Sequence, residues 1–170
     1  MKNFKKISEE TITDNPFKLI GKDWMLITAG NPDSFNTMTA SWGGLGILWN
    51  KSVTFVFIRP QRYTHGFTEE NEYFTLSFFD KKYKKALSFC GTHSGRDNDK
   101  IKETGLSPVE TPAGNVSFLE SRLVIECKKL YRGELNKNNF IVTELIDKNY
   151  PTEDFHTVYI GEITSCWKNE

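Results

Sequence analysis

The chain has 170 residues, 38% of them hydrophobic and 14% aromatic, thirteen being Phe; this suits one packed domain and excludes a disordered chain. Twenty-two basic and twenty-two acidic residues cancel, so the global basic excess of a nucleic-acid binder is missing. No apolar run reaches the ~18 residues of a membrane span, and no apolar stretch follows the basic start at Met1; no membrane partner is expected, and the expected location is the cytoplasm.

Asn15-Pro16, followed by Gly21, frames a turn or two of helix. Residues 24–29 form a short apolar strand closed by the turn cluster Gly30-Asn31-Pro32-Asp33. Residues 36–42 return as its hairpin partner through a longer loop, and Gly43-Gly44 allows close backbone approach or makes a turn. Residues 52–58 are β-branched and aromatic throughout, a strand covered on both faces. Residues 73–79 alternate Phe74, Leu76 and Phe78 with Thr75 and Ser77, a half-buried strand. Asp80 is placed to cap a helix with Tyr83, Ala86, Leu87 and Cys90 at helical spacing, and Gly91 to end it. Lys81, Lys82, Lys84 and Lys85 form its solvated face. A second short helix is expected from near Asp97 to Gly105. Residues 123–130, 140–146 and 156–163 supply three more strands. Six or more strands at short spacing indicate a barrel or sandwich. The expected fold is mainly β, a barrel with a few short decorating helices, as one domain over residues 1–170.

Three segments depart from a plain β core. Asn36, Thr37, Met38, Thr39, Ala40, Ser41 and Trp42 put small hydroxyl residues along a strand that runs into glycine. Such a strand meets a phosphate or a polar heterocycle edge, or else simply faces water. Arg59-Pro60-Gln61-Arg62-Tyr63-Thr64 sets two guanidinium groups and a hydroxyl at a strand end, an anion site or two solvated arginines. Thr64 is also placed to cap a helical turn containing Glu69 and Glu70. The loop around Ser94, Gly95, Arg96, Asp99 and Lys100 either binds an anion or holds an Asp99–Lys100 ion pair.

Other chemistry finds no motif. Cys90, Cys127 and Cys166 are odd in number and far apart, which reads as reduced thiols. His65, His93 and His156 are separated in sequence, so no metal is assigned. Neither a dinucleotide fingerprint, a phosphate-binding P-loop nor a Gly-x-Ser-x-Gly elbow is present.

Taken in order, five stretches carry a resemblance to a known family: Asn36 to Gly43, Arg59-Pro60-x-Arg62-Tyr63-Thr64, Ser94-Gly95-Arg96-x-x-Asp99-Lys100, Leu123 to Lys128, and His156-x-x-x-x-Gly161-Glu162-Ile163. The chain resembles the flavin reductase-like, FMN-binding split β-barrel proteins, within them the flavoredoxin-type branch. The resemblance implies a homodimeric split barrel with non-covalent FMN. It implies that residues 36–42 line the flavin, and that Arg59, Arg62, Tyr63 and Thr64 hold the phosphate or ribityl chain. Ser94, Arg96 and Lys100 would close over the site, and His156 would lie near the nicotinamide or flavin. It implies NAD(P)H as hydride donor and a flavin or protein as acceptor, with the chemistry on the cofactor and no obligate catalytic residue. Ile101 stands where many relatives carry Phe. An FMN-binding electron carrier without reductase activity is the alternative, because fold alone does not determine turnover; an OB-like barrel stacking single-stranded nucleic acid is disfavoured by the zero net charge.

Overall fold

The computed structural model describes residues 1 and 3–170. Its strands are β1 (Phe4–Ile7), β2 (Met25–Asn31), β3 (Ser34–Ala40), β4 (Gly43–Leu48), β5 (Lys51–Ile58), β6 (Tyr73–Phe78), β7 (Pro108–Glu110), β8 (Val116–Phe118), β9 (Leu123–Glu134) and β10 (Thr157–Asn169). Between them lie α1 (Pro16–Lys18), α2 (Tyr63–Glu70), α3 (Lys84–Thr92), α4 (Lys100–Thr104) and α5 (Glu144–Asn149).

Seven strands follow the hydrogen-bonded order β3-β2-β6-β9-β10-β5-β4, and β1 pairs with the far end of β10. Laid flat, the two end strands of such a path would stand about 29 Å apart. Yet β3 ends at Ala40 and β4 begins at Gly43, a gap the chain spans in at most about 11 Å. The sheet therefore curls until its ends approach without pairing, which makes a barrel with one open seam. β10 makes this possible: its first half pairs with β5 and its second with β1, and its register with β9 shifts twice, with Leu130 extra on β9 at Ile160/Gly161 and Thr164 extra on β10 at Ile163/Ser165, which bends the pair. At Gly161 a Cβ would fall 2.6 Å from Phe74 Cζ and 2.9 Å from Cys127 Cβ, so Phe74 fills the barrel only over a glycine.

β2 is buried on both faces. Met25, Ile27 and Ala29 join the barrel core with Val56, Ile58, Phe74, Leu76 and Tyr159. Leu26 turns outward into a second core with Phe79, Leu87, Cys90, Leu106 and Phe118. Each buried Val, Leu, Ile, Phe or Met side chain among them contributes about 1.5–3 kcal/mol. The second core is what holds α3 and α4 against the barrel. All three cysteines are buried and unpaired.

Several local expectations are corrected. Residues 140–146 are not a strand: they pass from a 3-10 turn (Lys137–Asn139) into α5. β9 and β10, the strands that flank this segment in the chain, are already paired on both edges, and Ile141 is 95% exposed. Gly43-Gly44 does not make a turn but opens β4, whose pairing with β5 overrides the poor strand propensity of glycine. The β2–β3 loop is shorter than expected, because Asn31 pairs directly with Ser34. Asp80 places no side-chain cap, and α3 runs through Gly91 to Thr92. Lys84 leaves the solvated face: its Nζ lies 3.1 Å from the Trp24 ring centroid and donates to Lys22 O at 2.6 Å. Thr64 lies inside α2, whose N-cap is Arg62. α4 begins at Lys100, later than expected, with Asp99 as N-cap accepting from the N–H groups of Ile101 and Lys102. The Asp99–Lys100 ion pair does not form, because Lys100 turns inward. No helix among the described residues is long and apolar enough to cross a membrane.

Candidate functional site

The three polar segments meet between β3, the start of α2 and the loop from α3 to α4. Asn36 Nδ2 donates to Thr64 Oγ1 at 2.7 Å, tying β3 to α2. Gly95 lies against that amide: a Cβ there would fall 2.0 Å from Asn36 Oδ1 and 3.2 Å from Tyr63 Cδ1. The loop comes this close only because residue 95 has no side chain. Arg96 Cζ lies 4.9 Å from the Tyr63 ring centroid, and its guanidinium donates to Gln61 O at 3.1 Å.

Two more cations gather where α3 ends. Arg62 donates to Gly91 O (2.7 Å) and Cys90 O (3.3 Å). Lys100 Nζ, on a residue only 5% exposed, donates to Thr37 O (2.7 Å) and Cys90 O (3.0 Å). The negative end of α3 favours positive charge there. Among the described residues, none of Arg62, Arg96 and Lys100 pairs with a carboxylate. Burial lowers the Arg62 pKa. It also pushes Lys100 down to about 8, with Cys90 opposing and the Arg62 charge adding to the fall. Arg62, Thr64, Ser94, Arg96 and Lys100 line one cleft of about 270 Å³. A neighbouring cleft of about 370 Å³ shares Tyr63, Gly95 and Lys100 and reaches Asn36 and Thr37. α2 opens here without a side-chain cap, which leaves its first N–H groups available. Asp97 also lines the cleft but pairs with none of the three cations; three cations against one carboxylate, with the Thr64 and Ser94 hydroxyls and an uncapped helix start, suit an anion with several oxygens, such as a phosphate monoester.

The rest of 36–42 offers backbone more than side chain. The Thr37 carbonyl is taken by Lys100 rather than by β2. In an antiparallel strand the N–H and C=O of one residue face the same side, and that side alternates; Thr37 and Thr39 therefore turn their backbone groups to the open seam. Their hydroxyls are engaged, Thr37 with Thr28 and Ile27 O, Thr39 with Leu87 O. Met38 and Ala40 belong to the barrel core, whereas Ser41 and Trp42 are exposed.

Across the seam stands a second cluster. Arg59 ends β5 and is engaged by Asp154, by Asn149 O at 2.7 Å, and by the Tyr150 ring at 5.2 Å. It does not join Arg62, three residues later, because a turn closed by Arg62 N to Arg59 O intervenes. His156 accompanies it: its ring lies 5.3 Å from Trp42 and 6.4 Å from Phe57, and its Nδ1 is 2.9 Å from the Tyr150 hydroxyl. Burial lowers the His156 pKa to about 4; Arg59 adds to the fall and Asp154 opposes it. The sequence reading missed Tyr150 and Asp154, although the aromatic run of Tyr150 and Phe155 just before His156 was a usable signal. His65 is elsewhere, with Nε2 2.9 Å from Thr157 Oγ1, and His93 stacks on Phe89.

A mainly β barrel with an open seam, and a cation-lined cleft beside the edge of β3, define the class of split β-barrels. The sequence model of the flavin reductase like domain matches residues 18–170, and the chain belongs to that family. The fold is shared with flavoredoxin of Desulfovibrio vulgaris (Miyazaki F), at 24% identity and TM-score 0.68, over 98% of this chain and 78% of that one. It is shared with an FMN-binding domain of a flavin reductases-like enzyme from Shewanella baltica, at 15% identity, TM-score 0.70 and coverage of 98% and 78%. It is also similar to an NADH:FAD oxidoreductase of Streptomyces globisporus, at 16% identity, TM-score 0.66 and coverage of 86% and 75%. No curated protein matches the chain.

Proposed function

We propose that the protein is an FMN-binding oxidoreductase that takes hydride from NAD(P)H and passes electrons to a flavin or protein acceptor. The observation that carries this reading is the convergence of Arg62, Arg96 and Lys100 without a carboxylate partner in a cleft also lined by Thr64 and Ser94. A phosphate monoester supplies the charge that these groups lack. Arg62, Thr64, Ser94, Arg96 and Lys100 would hold the phosphate, with Asn36 fixing Thr64. The backbone of residues 37–41, together with Trp42, would border the ring along the open edge of β3. Arg59 serves differently, by anchoring the loop that carries His156. Bound FMN supplies hydride acceptance and onward electron transfer; the protein's part is to bind, orient and exclude water.

A homodimer is proposed with it. β4 lies at the sheet edge with Ile47 72% exposed, and Trp49 occupies a left-handed position (φ 53°) at its hairpin tip, where a bulky residue is costly. A second copy would cover both. Sedimentation of wild type as a dimer, and of Ile47→Asp as a monomer, is expected; a monomeric wild type refutes the dimer.

The functional test is titration with FMN followed by anaerobic mixing with NADH and with NADPH. Absorbance of bound FMN and its bleaching are expected. Absence of FMN binding overturns the proposal, and binding without bleaching by either nucleotide leaves an electron-carrying module.

A further inference from the structure

Tyr150 is buried, 5% exposed, and His156 beside it is 7% exposed. The Tyr150 hydroxyl lies 2.9 Å from His156 Nδ1, and among the described residues this is its one hydrogen bond. Two arrangements satisfy that distance. If Nδ1–H donated to the phenol oxygen, the phenol proton would be buried without an acceptor, an outcome folded proteins avoid. If the hydroxyl donates, both groups are satisfied, and a neutral imidazole then carries its proton on Nε2.

We propose that Tyr150 is a positioning residue whose hydroxyl holds His156 in the neutral Nε2–H tautomer, leaving a hydrogen-bond donor on the ring edge away from Tyr150. The surroundings fix this geometry. The Tyr150 ring stacks on Phe155 at 4.7 Å, meets Phe140 edge-on at 5.9 Å and carries the Arg59 guanidinium on its face. Arg59 is in turn held by Asp154 and by the carbonyl of Asn149. The charged groups that face His156 are Arg59, at the end of β5, and Asp154, in its own loop; they pair with each other. Phe57 and Trp42 complete its contacts. Burial keeps the ring neutral to about pH 4, so between pH 5 and 8 His156 offers a directed N–H and no positive charge. What acceptor that N–H meets rests on the FMN reading above; the tautomer does not.

The test is long-range ¹H–¹⁵N NMR of histidine-labelled protein without cofactor, with His156→Asn to assign the signal against His65 and His93. In the wild type, Nε2 should appear as the protonated nitrogen and Nδ1 as the unprotonated one, unchanged from pH 5 to 8. Tyr150→Phe keeps the ring stack and removes only the donor. It should give a mixture of tautomers and raise the protonation midpoint by about one pH unit, since donation to Nδ1 favours the neutral form. An Nδ1–H tautomer in the wild type, protonation near pH 6.5, or a Tyr150→Phe spectrum identical to wild type would overturn the proposal. The wild-type spectrum decides even if the variant folds poorly. Titrating the same wild-type sample with FMN separates the two readings: no FMN binding with the tautomer intact refutes the function and leaves the positioning role standing.

Discussion

Replacing Lys100 by Met tests the anion cleft most directly, because Met matches the length of the lysine stem and removes only the charge. Lys100 Nζ donates to Thr37 O and Cys90 O. After the substitution Cys90 O keeps its bond from Arg62 at 3.3 Å, and Thr37 O keeps a long one from Asn36 at 3.4 Å. Loss of those bonds is offset by relief of a buried ammonium that has no carboxylate partner. The urea-unfolding free energy should therefore stay within about 1 kcal/mol of wild type. Affinity for FMN behaves otherwise. Two unit charges at ~4 Å attract by about 4 kcal/mol at an effective dielectric of ~20. Part of that is spent drawing the ammonium from its carbonyls, so the charge-assisted bond contributes about 1.5–3 kcal/mol, a rise in Kd of roughly 10- to 150-fold.

The pH dependence gives a second signature of the same residue. With Lys100 at about 8 in the free protein, binding of an anion must restore its proton above that pH. Wild-type Kd should rise by up to about tenfold per unit above pH 8, while the Lys100→Met Kd stays flat. For folding the sign is opposite. Between about pH 8 and the usual lysine value of 10.5 the unfolded chain binds more protons, so this residue makes stability rise with pH in that window and contributes no slope below it. Isothermal titration with FMN at pH 7 and 9 measures the binding effect. Equal affinities for wild type and Lys100→Met at pH 7 would refute the reasoning.

Gly95→Ala puts a Cβ on the Asn36 amide, which the Thr64 bond prevents from yielding freely; FMN affinity should fall about tenfold or more, as for loss of ~1.4 kcal/mol, and unchanged affinity would show that the cleft is not formed this way. Gly161→Ala drives a methyl into Phe74 and Cys127 and should cost about 1–3 kcal/mol in urea unfolding; a variant as stable as wild type would contradict the pinched bulge. At Asp154, burial raises the carboxyl pKa, but hydrogen bonds from Arg59 and Gln61 outweigh it and hold the value at about 2. A depressed carboxyl stabilises above its unfolded value and loses that contribution as pH falls towards 2. Wild type should thus lose about 1–2 kcal/mol more than Asp154→Asn between pH 4.5 and 2.5; parallel acid curves would show that the Arg59–Asp154 pair contributes nothing.

The legible part of the fold was the part whose pattern is local. Apolar alternation marked β6 as a strand, though not as the half-buried one expected, since β8 covers its polar face and buries Thr75 and Ser77; the continuous apolar runs marked β2 and β5. β4 stayed hidden because a glycine-rich stretch has no side-chain pattern, and its strand exists only through pairing with β5. The run at 140–146 failed for the opposite reason: it has a strand's composition, but the strands before and after it in the chain, β9 and β10, are already paired on both edges.

For the site, the amino-acid order alone singled out the three polar segments, since arginine, hydroxyl and glycine clusters outside an apolar pattern are visible one by one. It also determined that this was a mainly β chain with local positive charge hidden under a neutral total. Which cation stands where was a tertiary decision. Arg59 and Arg62 are three residues apart, yet a turn sends one to Asp154 and the other to the end of α3. Lys100, next to Asp99 in a polar stretch of sequence, is drawn inside because β3 and α3 bring two carbonyls to it from 63 and 10 residues away. A hydrogen bond needs its partner within about 3 Å, and sequence spacing carries no such distance across a barrel whose two ends approach only when every strand is in place.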